Sequence, residues 1–168
     1  MKIALTQFAP NPGQLDANRE RACDRVREAA ACGCDLVVFP ELFTVGYFAF
    51  DAYEAAAEAL DGDTVGMLSA VAAEHDIAVL TGTFIEDLNA TTSVDTPADT
   101  GLANTAVLLN RSGEIRLWYR KQHLFGYQSE EADRLVAGET IETAPLGGAT
   151  VGITTCYDLR FPELYRAF

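Results

Sequence analysis

Asp35-Leu36-Val37-Val38-Phe39-Pro40-Glu41 holds an unbroken apolar run that a proline stops and a carboxylate follows. A short continuous run of this kind reads as a strand buried on both faces, as in parallel and mixed sheets. Before it, residues 2–8 read as a strand with Ile3, Leu5 and Gln7 on one face, broken by Asn11-Pro12-Gly13. Residues 16–32 then read as a helix, with Ala22, Val26, Ala29 and Ala30 at helical spacing and Gly33 suited to its end. After it, residues 51–60 and 64–75 read as helices and 77–83 as another strand. The polar stretch 87–101 reads as a mobile loop. Strands over 103–109 and 114–119 flank the turn Asn110-Arg111-Ser112-Gly113 as a hairpin. Residues 121–138 read as a loop, and short strands are expected near 140–144 and 149–155. A helix opened by Pro162 follows. Early strand–helix alternation with a hairpin in the middle gives an α/β fold with a mixed sheet, and no linker divides residues 1–168.

The bulk numbers exclude several classes. A formal net charge of −13 argues against nucleic acid, whose phosphates require a basic surface. Of the twelve basic residues only Lys2 and Lys121 are lysines, and acidity of this kind fits either plain solubility or adaptation to salt. No apolar run is long enough for a membrane span, and the opening residues lack a signal-peptide pattern, so a cytoplasmic location is expected. The four cysteines are 23, 32, 34 and 156, and neither His75 nor His123 stands at zinc-ligand spacing from them. Cys23, Cys32 and Cys34 read as ordinary, mostly buried residues. No Gly-rich phosphate loop, G-x-S-x-G elbow or H-E-x-x-H helix is present. A Cys–His pairing through His123 stays open.

Three residues stand at the ends of expected strands. Cys156 follows Val151-Gly152-Ile153-Thr154-Thr155 and precedes a helix. There, free N–H groups and the helix dipole lower a thiol pKa and stabilise an oxyanion. Glu41 ends the central strand, where open α/β sheets bind ligands, and a carboxylate in an apolar pocket suits a general base. Lys121 is a compact cation in a chain that otherwise uses Arg. Singly, each has an ordinary reading as a core thiol, a loop carboxylate or a surface amine. Together they supply the nucleophile, base and electrostatic stabiliser of acyl transfer.

The segments Phe39-Pro40-Glu41-Leu42-Phe43, Tyr119-Arg120-Lys121-Gln122-His123-Leu124-Phe125 and Cys156-Tyr157-Asp158-Leu159-Arg160-Phe161-Pro162-Glu163-Leu164-Tyr165-Arg166 closely resemble the nitrilase superfamily of carbon–nitrogen hydrolases. Gln7 and Gly46-Tyr47 fit as well. The resemblance implies an α-β-β-α sandwich, incomplete at the C-terminus because the chain stops twelve residues after Cys156. It implies Glu41 as general base, Lys121 as stabiliser of the tetrahedral intermediate, Cys156 as nucleophile and the Tyr157 N–H in the oxyanion hole. A second acid is expected at Glu131 or the adjacent Glu130. Asp158 and Arg160 are read as a pair holding the elbow, with substrate contact as the alternative, and Phe43, Tyr47, Phe48 and Phe50 as pocket or subunit-interface aromatics. The implied chemistry is hydrolysis of a small amide through a cysteine thioester, without metal or cofactor, in a homodimer or higher homo-oligomer. The Cys-Tyr-Asp-Leu-Arg segment looks most like the branch acting on ω-amides of dicarboxylates or deaminated glutathione. N-carbamoyl amino acids are the alternative substrates, and a non-catalytic remnant or interaction module is the alternative role.

Overall fold

A computed structural model describes residues 1–168. In chain order its elements are β1 (Ile3–Leu5), α1 (Leu15–Ala31), β2 (Leu36–Val38), α2 (Tyr53–Ala56), α3 (Asp63–His75), β3 (Ala78–Leu80) and β4 (Phe84–Asp87). β5 (Leu102–Leu109), β6 (Ile115–Arg120), α4 (Glu131–Arg134), β7 (Thr143–Leu146), β8 (Ala149–Gly152) and α5 (Pro162–Ala167) follow. The run that ends at Pro40 is the middle of the parallel part: β2 pairs in parallel with β1 on one side and β3 on the other. β5 takes β3 and then β4 along one edge and β6 along the other, all antiparallel. The sheet is therefore mixed.

Alternation along the buried strands sends side chains to both faces. Val37, Phe39, Val79, Val107 and Leu109 pack under α1 and α3, against Ala22, Val26, Leu68 and Val71. Leu36, Ala78, Ala106, Leu108 and Leu117 face the β7–β8 hairpin, meeting Ala144 and Ile153. This is an α-β-β arrangement of layers. A third cluster of Leu42, Val45, Tyr53, Ala56, Ile85 and Leu135 forms the floor beneath the strand ends.

Five local expectations change. The helix expected over 51–60 is one 3-10 turn at Phe50–Ala52 and the single turn α2. The chain then extends because Glu58 bridges to Glu86 of β4, and its carboxylate accepts the Thr64 N–H at the start of α3 at 2.8 Å. The strand expected over 77–83 kinks at Gly82 and resumes as β4, which sequence reading missed. Gly82 has φ +64°, and a Cβ there would run into the carbonyl of Pro40, so only glycine lets the chain pass. The 87–101 loop is pinned at two points: Thr91 Oγ1 donates to Glu86 at 2.9 Å, and Arg120 Nη1 donates to the Asp95 carbonyl at 3.0 Å. Inside the expected 121–138 loop, Glu131–Arg134 forms α4. Of the cysteines, Cys23 is buried as expected, whereas Cys32 is exposed.

Candidate active site

The ends of three strands converge. β2 runs into Pro40-Glu41, β6 into Lys121, and β8 through Ile153-Thr154-Thr155 into Cys156. Each approach is fixed by its own hydrogen bonds. The Glu41 turn is held on the Gly82 kink: the Leu42 N–H donates to Thr83 Oγ1 at 2.8 Å, and Leu42 itself takes φ +48°. The Lys121 N–H donates to the Asn104 carbonyl of β5 at 2.9 Å. Cys156 has φ +50°, a conformation costly for a residue with a side chain. It opens the 3-10 turn Cys156–Arg160 that leads into α5. The first N–H groups of such a turn, Tyr157 among them, have no partner within it.

Lys121 is fully buried, and its ammonium is shared by two carboxylates. Nζ donates to Glu41 Oε1 at 2.8 Å and to both oxygens of Glu131 at 2.9 Å. Burial pulls the ammonium down, but Glu41 and Glu131 outweigh it and hold Lys121 above its ordinary value, so it stays charged. Of the two candidate acids, Glu131 is the one at the site. It is wholly buried and accepts from Lys121, from Asn104 Nδ2 at 2.9 Å, from the Phe125 N–H at 2.8 Å and from Tyr47 Oη at 3.3 Å. Glu130 points outward and receives Arg134 Nε at 2.7 Å.

The thiol behaves otherwise than expected. Cys156 is exposed, yet partial desolvation of its thiol, then the charge of Glu41, raise its pKa, against the pull of Lys121. A five-residue 3-10 turn has too little aligned dipole to reverse this. The cysteine therefore rests as a thiol, and ionising it calls for a base such as the neighbouring Glu41.

Asp158 does not pair with Arg160. It is buried, and it accepts from the Thr155 N–H at 2.9 Å, Tyr119 Oη at 2.7 Å and the His123 N–H at 3.1 Å. His123 Nδ1 lies 2.8 Å from the same carboxylate, and its ring stacks on Phe161 at 3.5 Å. His123 is thus taken up in holding the elbow and is not a partner for the thiol. Arg160 instead lines a cavity of about 430 Å³ with Glu41, Tyr47, Phe48, Phe125, Cys156, Tyr157 and Leu159. Tyr47 and Phe48 are in the pocket wall, as one of the two readings allowed, while Phe43 is core. Sequence reading missed Asn104, although an amide inside the expected strand over 103–109 was a visible signal.

Residues 2–168 match the family described as Carbon-nitrogen hydrolase. The chain belongs to the carbon–nitrogen hydrolase family. Its similarity to other carbon–nitrogen hydrolases is spread over the whole chain. It is 32% identical to 2-oxoglutaramate amidase of Paenarthrobacter nicotinovorans over 181 residues, covering 98% of this chain and 60% of that protein. The crystal structure of Saccharomyces cerevisiae Nit3, a member of branch 10 of the nitrilase superfamily, superposes with a TM-score of 0.80 at 30% identity, over 98% of this chain and 58% of that one. A variant of the amidase from Nesterenkonia sp. AN1, showing covalent addition of the acetamide moiety of fluoroacetamide at its active-site cysteine, matches with a TM-score of 0.77 at 26% identity, over 99% of this chain and 60% of that one. The chain thus spans about three fifths of the length of these carbon–nitrogen hydrolases. The mixed α/β fold is that of the nitrilase superfamily.

Proposed function

We propose that the protein hydrolyses the carbon–nitrogen bond of a small amide through a Cys156 thioester. The observation that carries this is the meeting of Glu41, Lys121 and Cys156 from three strand ends, with Glu41 and Cys156 on one cavity. Cys156 Sγ bonds to the amide carbon while its proton passes to Glu41. The carbonyl oxygen becomes an oxyanion, balanced by the Lys121 ammonium and the Tyr157 N–H. The carbon–nitrogen bond then breaks, Glu41 returns the proton to the nitrogen, and ammonia or an amine leaves. Water attacks the thioester and gives a proton to Glu41. The carbon–sulfur bond breaks, and the thiol is re-formed by that proton as the carboxylic acid departs. Adduct formation at the active-site cysteine of the Nesterenkonia amidase supports the nucleophile role. Glu131, saturated by its donors, holds Lys121 and takes no proton in this scheme.

The cavity wall supports a substrate class. Arg160 is its one cation, among Tyr47, Phe48, Phe125, Tyr157 and Leu159. A short apolar chain with the amide at Cys156 and a carboxylate at Arg160 fits this wall, which is the pattern of an ω-amide of a dicarboxylate. A homodimer or higher homo-oligomer and a cytoplasmic location go with the same reading. Exposed Phe48, Leu159 and Tyr165 leave apolar surface for a subunit contact, and no helix is long and apolar enough to cross a membrane.

The test measures ammonia release from 2-oxoglutaramate, from butyramide and from an N-carbamoyl amino acid, each with the native chain and with Cys156→Ala. Turnover of the ω-amide that Cys156→Ala abolishes is expected. Preference for the N-carbamoyl compound transfers the reading to the other substrate class. Full activity in Cys156→Ala sinks the mechanism. No turnover at all, with Cys156 alkylated by iodoacetamide as slowly as the other cysteines, makes the chain a binding module.

A further inference from the structure

We infer that Asn104 is a positioning residue for the general base, fixing one oxygen of Glu41 so that the other is free to serve Cys156. This rests on the Glu41–Lys121–Cys156 reading and adds a residue to it. The Asn104 side chain is wholly buried in β5, between Ala103 and Thr105. Its Nδ2 donates at 2.9 Å to Glu41 Oε1 and at 2.9 Å to Glu131 Oε1. Those two oxygens are also the ones that Lys121 Nζ holds, at 2.8 and 2.9 Å. The amide and the ammonium together bridge two carboxylates by the same pair of atoms. Without a second donor, Glu41 has a single anchor and is free to turn about it. With both, its Oε1 is fixed, and the carboxylate also hydrogen-bonds the Cys156 thiol.

Two further features point to function rather than packing. The amide cannot be turned over, since that would set Oδ1 against two carboxylate oxygens. In the orientation it must take, Oδ1 is buried with no hydrogen-bond partner within the chain. An acceptor buried with no partner within the chain is destabilising, and an apolar side chain of the same size would avoid that cost. Asn104 is also tied to Lys121 through the main chain, its carbonyl accepting the Lys121 N–H at 2.9 Å. One residue thus sets the Lys121 backbone and the Glu41 carboxylate together. The charged and titratable groups facing Glu41 are Lys121 at the end of β6, Glu131 of α4, Cys156 of the elbow, Tyr47 of the loop after β2, Tyr53 of α2, and Arg160 across the cavity.

The test is the rate of Cys156 alkylation by iodoacetamide at neutral pH, read by mass spectrometry in the full chain. Asn104→Leu keeps the volume and removes the donor, and Asn104→Ala serves if Leu is not accommodated. A fall of about tenfold is expected, the size of one hydrogen bond to a charged group. In a Glu41→Gln background the same substitution is expected to change the rate by less than about twofold, because its effect runs through Glu41. Three results overturn the inference: a rate unchanged by the Asn104 substitution, an equal fall in both backgrounds, or loss of the native circular dichroism signal in both Asn104 variants. Failure of the triad reading looks different. In that case Cys156 of the unaltered chain is no more reactive than the other cysteines, and Glu41→Gln leaves it unchanged.

Discussion

Lys121→Met removes the ammonium that stands between Glu41 and Glu131. At contacts of 2.8 and 2.9 Å, an effective dielectric of about 20 gives roughly 6 kcal/mol of Coulomb attraction to each carboxylate. Most of that is spent on the desolvation of three buried charges, since each ion taken from water costs several kcal/mol. Methionine fills the space but leaves two carboxylates facing each other, one wholly buried and the other one-fifth exposed. Breaking a buried pair in this way costs about 3–5 kcal/mol. For a domain of this length that corresponds to a fall in Tm of roughly 6–20 °C. Urea and thermal unfolding at neutral pH, followed by circular dichroism, measure it. The deficit should shrink as the pH is lowered, because protonating one carboxylate removes the uncompensated charge. The double variant Lys121→Met with Glu131→Gln should recover part of the loss at neutral pH for the same reason. A cost under about 1 kcal/mol, or a deficit that grows in acid, refutes the picture of Lys121 as the hub of a buried charge cluster.

Asp158→Ala removes the acceptor of the Thr155, Tyr119 and His123 bonds, and should cost about 3 kcal/mol in urea unfolding while slowing Cys156 alkylation, because the elbow loses its clamp. Gly82→Ala drives a methyl group into the Pro40 carbonyl at a positive φ, so a loss of at least about 2 kcal/mol is expected, together with reduced amide turnover as the Glu41 turn shifts. In Glu41→Gln, ionisation is the remaining route to the thiolate. Burial, the largest cause of the raised Cys156 pKa, persists, so the midpoint of alkylation against pH should lie above the ordinary thiol value of about 8.5. The linked stability has the same sign: a raised folded-state pKa contributes below the unfolded value and is lost as the pH rises through the folded one, so unfolding curves should weaken above about pH 8.5.

Local pattern carried much of this molecule. The apolar run before Pro40 had to be a central strand, because neither of its faces offers a polar residue to water. The spacing of Ala22, Val26 and Ala29 and the placing of Gly33 and Pro162 set helix faces and ends through backbone sterics alone. Glu41, Lys121 and Cys156 were legible as candidates because each follows a strand end in a recognisable segment. What the sequence could not hold is whatever depends on partners far along the chain. Glu58 unwinds its expected helix to reach Glu86, Gly82 kinks its strand to clear Pro40, and Asp158 takes Tyr119 and His123 rather than Arg160. The thiol pKa rises because tertiary packing partly desolvates it and sets Glu41 beside it, which a helix-start argument does not see. The joining of Asn104 and Glu131 to Lys121 spans strands and a one-turn helix, and only the packing of β5, β6 and α4 brings those groups within hydrogen-bond distance. Propensity acts over a few neighbouring residues, whereas the charge balance of the site is fixed by groups that meet only when the sheet is assembled.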